Sequence, residues 1–183
     1  MSMNVVETAL PGVFIIEPRI FGDDRGFFFE SWNSEHFSAA GIDAHFVQDN
    51  HSMSQRGVLR GLHFQNPDPQ GKLVRVIAGS VFDVVVDIRR SSSHFGKWFG
   101  IELSAANKRM IWIPEGFAHG FLALEDGTEF LYKCTRGYRP HHQRSIRWDD
   151  PAIGIDWPLG NMTPNESAKD AEATSLAHAE VFA

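Results

Sequence analysis

Several things are scarce in this chain. One cysteine, Cys134, stands among 183 residues, so no disulfide can close within it. A reducing compartment is the natural setting for such a sequence. Positive charge is short as well: 17 Lys and Arg face 23 Asp and Glu, for a formal net charge of −6. A general nucleic-acid binder needs a positive field, so no nucleic-acid partner is expected. No stretch approaches the ~20 apolar residues of a membrane span. The opening MSMNVVETALPGVF has neither a basic start nor an unbroken apolar run. No membrane partner is expected, and the chain reads as soluble and cytoplasmic. Tyrosine is the rarest aromatic, with only Tyr132 and Tyr138 against 15 Phe and 5 Trp. Phenol oxygens are therefore few, and where they fall matters.

What is present suffices for a core. Hydrophobic residues make up 43% and charged residues 22%, both near globular norms. The length suits one domain over residues 1–183 that needs no disulfide or metal staple. Short β-rich runs alternate with turn residues. Strands are expected over 13–18, 27–32, 46–51, 58–65, 72–78, 81–89, 99–103, 110–113, 120–124, 129–135 and 145–148. Gly79-Ser80 reads as a hairpin turn. Asn33 or Ser34 is placed to cap a short helix that Gly41 closes. Residues 165–179 read as helical turns, with Ser167 and Asp170 as a start signal. Many short strands with few helices predict a mainly β sandwich or barrel.

Alternation supplies faces. Asp83, Val85 and Asp87 share one; Phe82, Val84, Val86 and Ile88 share the other. His119 and Phe121 fall together, as do Phe130, Tyr132 and Cys134. Strict alternation separates Arg60 from His63, but a bulge at Gly61 would reunite them.

Polar residues inside strand-like sequence mark candidate chemistry. His63 is either a satisfied histidine or a general base that needs a carboxylate to orient it. His119, in the spacing Pro114-x-Gly116-x-x-His119, is a metal ligand or a hydrogen-bond donor. A metal needs three or four ligands, and His63-Phe64-Gln65 does not supply them, so no metal is expected. Arg25, Arg60, Lys72 and Lys169 are either solvated charges or a clamp for a diphosphate. Tyr132 is a core aromatic or a proton donor, and Tyr138 a sheet cover or a stacking platform.

Read in order, seven strings resemble the dTDP-4-dehydrorhamnose 3,5-epimerase family. They are DDRGFF at 23–28, FVQDNHS at 46–52, VLRGLHFQ at 58–65, QGKLVR at 70–75, IPEGFAHGF at 113–121, FLYK at 130–133 and SAKD at 167–170. The resemblance implies a jelly-roll cupin fold, N-terminal dimerisation strands, a homodimer and no cofactor. It implies that a dTDP-sugar, dTDP-4-dehydro-6-deoxy-D-glucose, is inverted at both carbons beside its ketone. It makes His63 the base, Asp170 its orienting carboxylate, Lys72 and His119 the groups at the enolate oxygen, and Tyr132 the opposite-face acid. Arg25, Glu30, Gln48, Asp49, Asn50, Arg60, Gln143 and Lys169 match substrate-contacting positions, with Arg25 and Glu30 reaching a neighbouring subunit's site. Tyr138 matches an aromatic that stacks on thymine. Gln143 departs from the acid often found in the family. Rival readings are a single-position epimerase or keto-isomerase of another deoxysugar, a non-catalytic nucleotide-sugar-binding cupin, and a metal-dependent cupin oxygenase.

Overall fold

A computed structural model describes residues 3–183. In chain order the strands are β1 (Met3–Glu7), β2 (Phe14–Pro18), β3 (Phe21–Asp23), β4 (Gly26–Phe28), β5 (Gln48–Ser54), β6 (Leu59–Gln65) and β7 (Lys72–Ala78). They continue with β8 (Ser80–Asp87), β9 (Trp98–Ser104), β10 (Met110–Ile113), β11 (Phe117–Ala123), β12 (Thr128–Cys134) and β13 (Gln143–Ser145). Two short helices interrupt them, α1 (Ser34–Ala39) and α2 (Ala168–Ala171). A six-stranded sheet in the order β1-β2-β10-β7-β12-β5 packs on a five-stranded sheet in the order β13-β6-β11-β8-β9. Strands β3 and β4 pair separately as a hairpin.

The alternation of each strand explains the layers. From the first sheet Val74, Val76, Ile111 and Phe130, and from the second Val81, Val85, Leu103 and Phe121, form one buried cluster between the sheets. Each fully buried Val, Leu or Phe contributes roughly 1.5–3 kcal/mol. The outward residues of the second sheet, Leu62, Phe64, Val84 and Val86, are covered by Ile153, Trp157, Leu176 and Ala179 of the C-terminal chain. The outward face of the first sheet, through Ile16, Leu73 and Met110, is covered by Phe37 and Ile42 around α1. That helix begins where the Asn33 side chain accepts from the Glu35 and His36 amides.

Four expectations are corrected. Residues 78–80 do not form a hairpin, because β7 and β8 lie in different sheets. Gly79, at φ +70° and with no room for a Cβ beside Thr128, turns the chain from one sheet to the other. Residues 165–179 are helical only over Ala168–Ala171. Bridges from Val58 to Asn165 and from Ile146 to Thr174 extend the segment on either side, so that Leu176 and Ala179 reach the apolar outer face. The last strand runs over Gln143–Ser145 rather than 145–148, and the 27–32 run is strand only as far as Phe28.

The bulge at Gly61 is present. His63 pairs with His119 and Arg60 with Phe121, so three steps on β6 match two on β11. Leu59 and Leu62 consequently both face the outer cluster, while Arg60 reaches Ser54 of the opposing sheet. His63 faces the same interior. Gly61 has φ +130°, and a Cβ there would lie 2.5 Å from Gly120 Cα and 2.9 Å from the His119 carbonyl oxygen. Gly61→Ala is therefore expected to lower stability by about 1–3 kcal/mol and to depress activity by displacing His63. Urea unfolding and turnover check this, and an unchanged midpoint would overturn the close-approach argument.

Candidate active site

At one end of the sandwich the inward residues change from apolar to polar. On the first sheet, the register sets Asn50 and Val74 on either side of Tyr132, and Gln48 and Lys72 on either side of Cys134. On the second sheet, His63 and His119 are cross-strand partners, and Asp83 follows on β8. The two faces enclose a cavity of about 280 Å³ lined by Gln48, Asn50, His63, Gln65, Gln70, Lys72, Tyr132, Tyr138 and Gln143.

His63 Nε2 lies 2.5 Å from Asp170 Oδ1. Asp170 is 4% exposed and is carried by α2, whose cap Ser167 accepts from the Asp170 amide and donates 3.0 Å to its Oδ2. Burial pushes the Asp170 carboxyl up, but hydrogen bonds from His63 and Ser167, together with nearby positive charge, bring it below the usual carboxylate value. An ionised carboxylate only accepts, so His63 carries its proton on Nε2 and Nδ1 is left as the basic nitrogen.

Lys72 is 8% exposed, and burial lowers its affinity for a proton while Cys134 and Asp83 act in the other direction. Its ammonium lies 5.9 Å from the Tyr132 ring centroid. Burial raises the Tyr132 phenol above its ordinary value, Cys134 adds to this, and Arg60 opposes it. At neutral pH that phenol is a proton donor. His119 Nε2 lies 2.9 Å from Asp83 Oδ2. At the mouth, Tyr138 Oη donates 2.5 Å to Gln143 Oε1, and Lys169 Nζ donates to the same oxygen at 2.8 Å. Gln48 Oε1 receives the Tyr138 amide.

Not every expected residue joins this group. Asp49 alternates to the outer face of the first sheet and pairs with Lys133 at 3.0 Å. Arg25 sits on the β3–β4 hairpin, paired with Asp23 and largely exposed. Glu30 holds Asn33 and His36 at the start of α1. Neither lines this chain's cavity. Sequence reading missed Asp83, Gln65, Gln70 and Ser167. Asp83 had a signal: it is a carboxylate inside the apolar run Val81–Ile88, on the face that alternation turns inward. Gln65 and Gln70 had none, since glutamine near a strand end is ordinary. Among the described residues no group of three His, Cys, Asp or Glu side chains is arranged to hold a metal ion.

Two packed antiparallel sheets with a polar pocket at one end define a cupin-type protein, here with a His–Asp pair, a lysine and a tyrosine in that pocket. More narrowly, the chain belongs to the dTDP-4-dehydrorhamnose 3,5-epimerase family, whose model matches residues 7–178. A dTDP-4-dehydrorhamnose 3,5-epimerase of Salmonella typhimurium is 57% identical over 95% of this chain and 96% of its own length. One of Pseudomonas aeruginosa is 55% identical over 98% and 99%. A solved dTDP-6-deoxy-D-glucose-3,5-epimerase of Legionella pneumophila, in complex with dTDP-4-keto-L-rhamnose, superposes with a TM-score of 0.93. It is 52% identical and covers 96% of this chain and 94% of that one.

Ser167 holds both the start of α2 and the free oxygen of Asp170. Ser167→Ala is expected to lower stability by about 1 kcal/mol and kcat by about tenfold, with KM changing less. Denaturant midpoints and steady-state kinetics check both, and an unaltered kcat would remove Ser167 from the support of Asp170.

Proposed function

We propose that the protein inverts the 3- and 5-positions of dTDP-4-dehydro-6-deoxy-D-glucose to give dTDP-4-dehydro-L-rhamnose, an isomerase step in dTDP-L-rhamnose biosynthesis. The observation that carries this reading is one cavity lined by the Asp170-paired His63, by Tyr132 and by buried Lys72.

A proton on a carbon beside a ketone leaves only if the enolate is stabilised. His63 Nδ1 takes that proton while Asp170 steadies the imidazolium that forms. The Lys72 ammonium meets the charge growing on the ketone oxygen, in a place where little water competes. Tyr132, kept protonated by burial, returns a proton to the other face of the planar carbon. Because both carbons flank one carbonyl, the same base, acid and cation serve both inversions once the ring turns.

Cavity size supports a division of the ligand between the cavity and its mouth. Sites that enclose a drug-sized molecule run to about 300–1,000 Å³, and this one is about 280 Å³. It suits the sugar, with the nucleotide lying along the mouth. There Tyr138 offers a half-exposed ring for the thymine, and Gln143, Lys169, Gln48, Asn50 and Arg60 offer polar contacts. His119 backs the cavity from the second sheet.

Arg25, Glu30 and Asp49 belong, in this reading, to the site between two copies of the chain. The β3–β4 hairpin exposes Phe27 at 63%, Phe28 at 69% and Phe21 at 50%, a cluster that invites burial against a second copy. A homodimer of this kind brings Arg25 and Glu30 to the partner's cavity.

In heavy water the protein is expected to place deuterium at both carbons beside the ketone. Label at one only would indicate a single-position epimerase, and label at neither would exclude the reaction. His63→Ala should lower kcat by about 10²–10⁴-fold. Tyr132→Phe should slow inversion more than deuterium entry.

The shared site has its own test. Arg25→Ala and His63→Ala should each be nearly inactive, and a mixture allowed to exchange subunits should recover about a quarter of wild-type activity, since heterodimers hold one intact site. No recovery with proven exchange would place Arg25 outside the neighbouring site.

A further inference from the structure

The mechanism above gives no task to Asp83, a buried charge on the inner face of the second sheet. Asp83 is 0% exposed and lies in the middle of β8, between Val81 and Val85 of the apolar cluster. Its Oδ2 meets His119 Nε2 at 2.9 Å, while Oδ1 is buried with no hydrogen-bond partner among the described residues. A carboxylate that serves only the fold would be expected to satisfy both oxygens. Asp83 projects from the second sheet into the interior that Lys72 enters from the first, and the two attract each other.

The groups around Lys72 are few. From β12 come Tyr132 and Cys134, from β8 Asp83, from β11 His119 and from β6 His63. Burial pushes the Cys134 thiol up, although Lys72 and the Asn50 hydrogen bond oppose this, so at neutral pH it brings no negative charge. The Tyr132 phenol is likewise neutral. His63 is already paired with Asp170. Asp83 is thus the anion facing Lys72 within the sandwich. His119 is itself pushed down by burial, and its Nε2 must carry a proton to donate to a carboxylate. A neutral imidazole in that tautomer has no proton on Nδ1, so it positions Asp83 and does not donate to an enolate.

We propose that Asp83 is a positioning residue for the epimerisation: held by His119, it supplies the counter-charge that keeps the Lys72 ammonium charged where the enolate oxygen forms. The inference rests on the epimerase reading and deepens it, adding a charge pair that spans the two sheets. Without Asp83, burial would act on Lys72 with less to oppose it, and the lysine would lose its proton at lower pH. The sign is then fixed: activity needs charged Lys72, so the alkaline limb of the kcat profile must move down when the counter-charge is removed.

The test is the pH dependence of Asp83→Asn, an isosteric change that keeps an acceptor for His119. Its alkaline limb should fall at least one pH unit below that of the wild type, with KM for the dTDP-sugar altered less than kcat. A folded variant, shown by a retained dTDP-induced rise in Tm, that is slower by one constant factor at every pH would overturn the proposal. Should Asp83→Asn not fold, carbon-13 NMR of the wild type decides: the Asp83 carboxyl resonance should inflect at the pH where the Lys72 ε-carbon titrates. A flat Asp83 resonance through that range would overturn the proposal equally. Absence of deuterium entry in the wild type would instead refute the epimerase reading, and so the two failures are distinguishable.

Discussion

Charge held between two apolar sheets must be paired, and the polar end of this sandwich is arranged around that demand. Removing a carboxylate or ammonium from water costs several kcal/mol unless a partner compensates. Asp170 is compensated by His63 and Ser167, and Asp83 meets His119. Among the described residues Lys72 has no hydrogen-bond or ion-pair partner in direct contact; Asp83 answers its charge at longer range, and the lysine lines the cavity. A cation left in this condition is ready to receive negative charge as it develops, and in that state a polar substrate completes what the fold leaves open. The same low dielectric that makes a charge without a contacting partner expensive strengthens its grip on an enolate.

The pairs arise because two sheets supply different chemistries to one space. The second sheet presents imidazoles and carboxylates from β6, β8 and β11, while the first presents amides, a phenol and an amine from β5, β7 and β12. Neither face alone has both a base and an acid on opposite sides of a planar carbon. The bulge at Gly61 is what admits His63 to this arrangement without turning Leu62 inward. A strand in regular alternation would have to give up either the histidine or a residue of the outer apolar layer.

Much of this was legible in the residues. Alternation along β8, β11 and β12 assigned faces correctly because each strand has one core side and one differently covered side, which is the situation in which period-two patterns are sharpest. The Gly61 bulge was legible as a conflict between that pattern and the need to group Arg60 with His63. The C-terminal segment was misread because its Ala, Glu and Lys carry helical propensity, whereas two backbone bridges and the burial of Leu176 and Ala179 decide its shape. The Gly79-Ser80 turn was misread because a tight turn looks alike whether it joins neighbours in a sheet or passes between sheets. Asp49 illustrates a finer limit. Its string FVQDNHS matches as a unit, but consecutive residues of a strand face opposite ways, so Gln48 and Asn50 enter the cavity and Asp49 turns toward Lys133.

The scarcity of tyrosine follows from the same physics. A phenol inside an apolar cluster carries an oxygen that wants a partner, and phenylalanine fills equal space without that demand. The interior accordingly stacks Phe121 on Phe130 at 4.1 Å between ring centroids and places Tyr132 next along the strand. The sequence spends its two phenols where an oxygen has something to meet: Tyr132 at the cavity, Tyr138 on Gln143 at the mouth. Burial that would be a penalty elsewhere is useful at Tyr132, because it holds the proton on the phenol until a carbanion-like carbon is there to take it. Low tyrosine content is therefore informative about the site in a way that low cysteine content is not. The single thiol, Cys134, is neutral, accepts weakly from Asn50, and shapes the wall behind the groups that move protons.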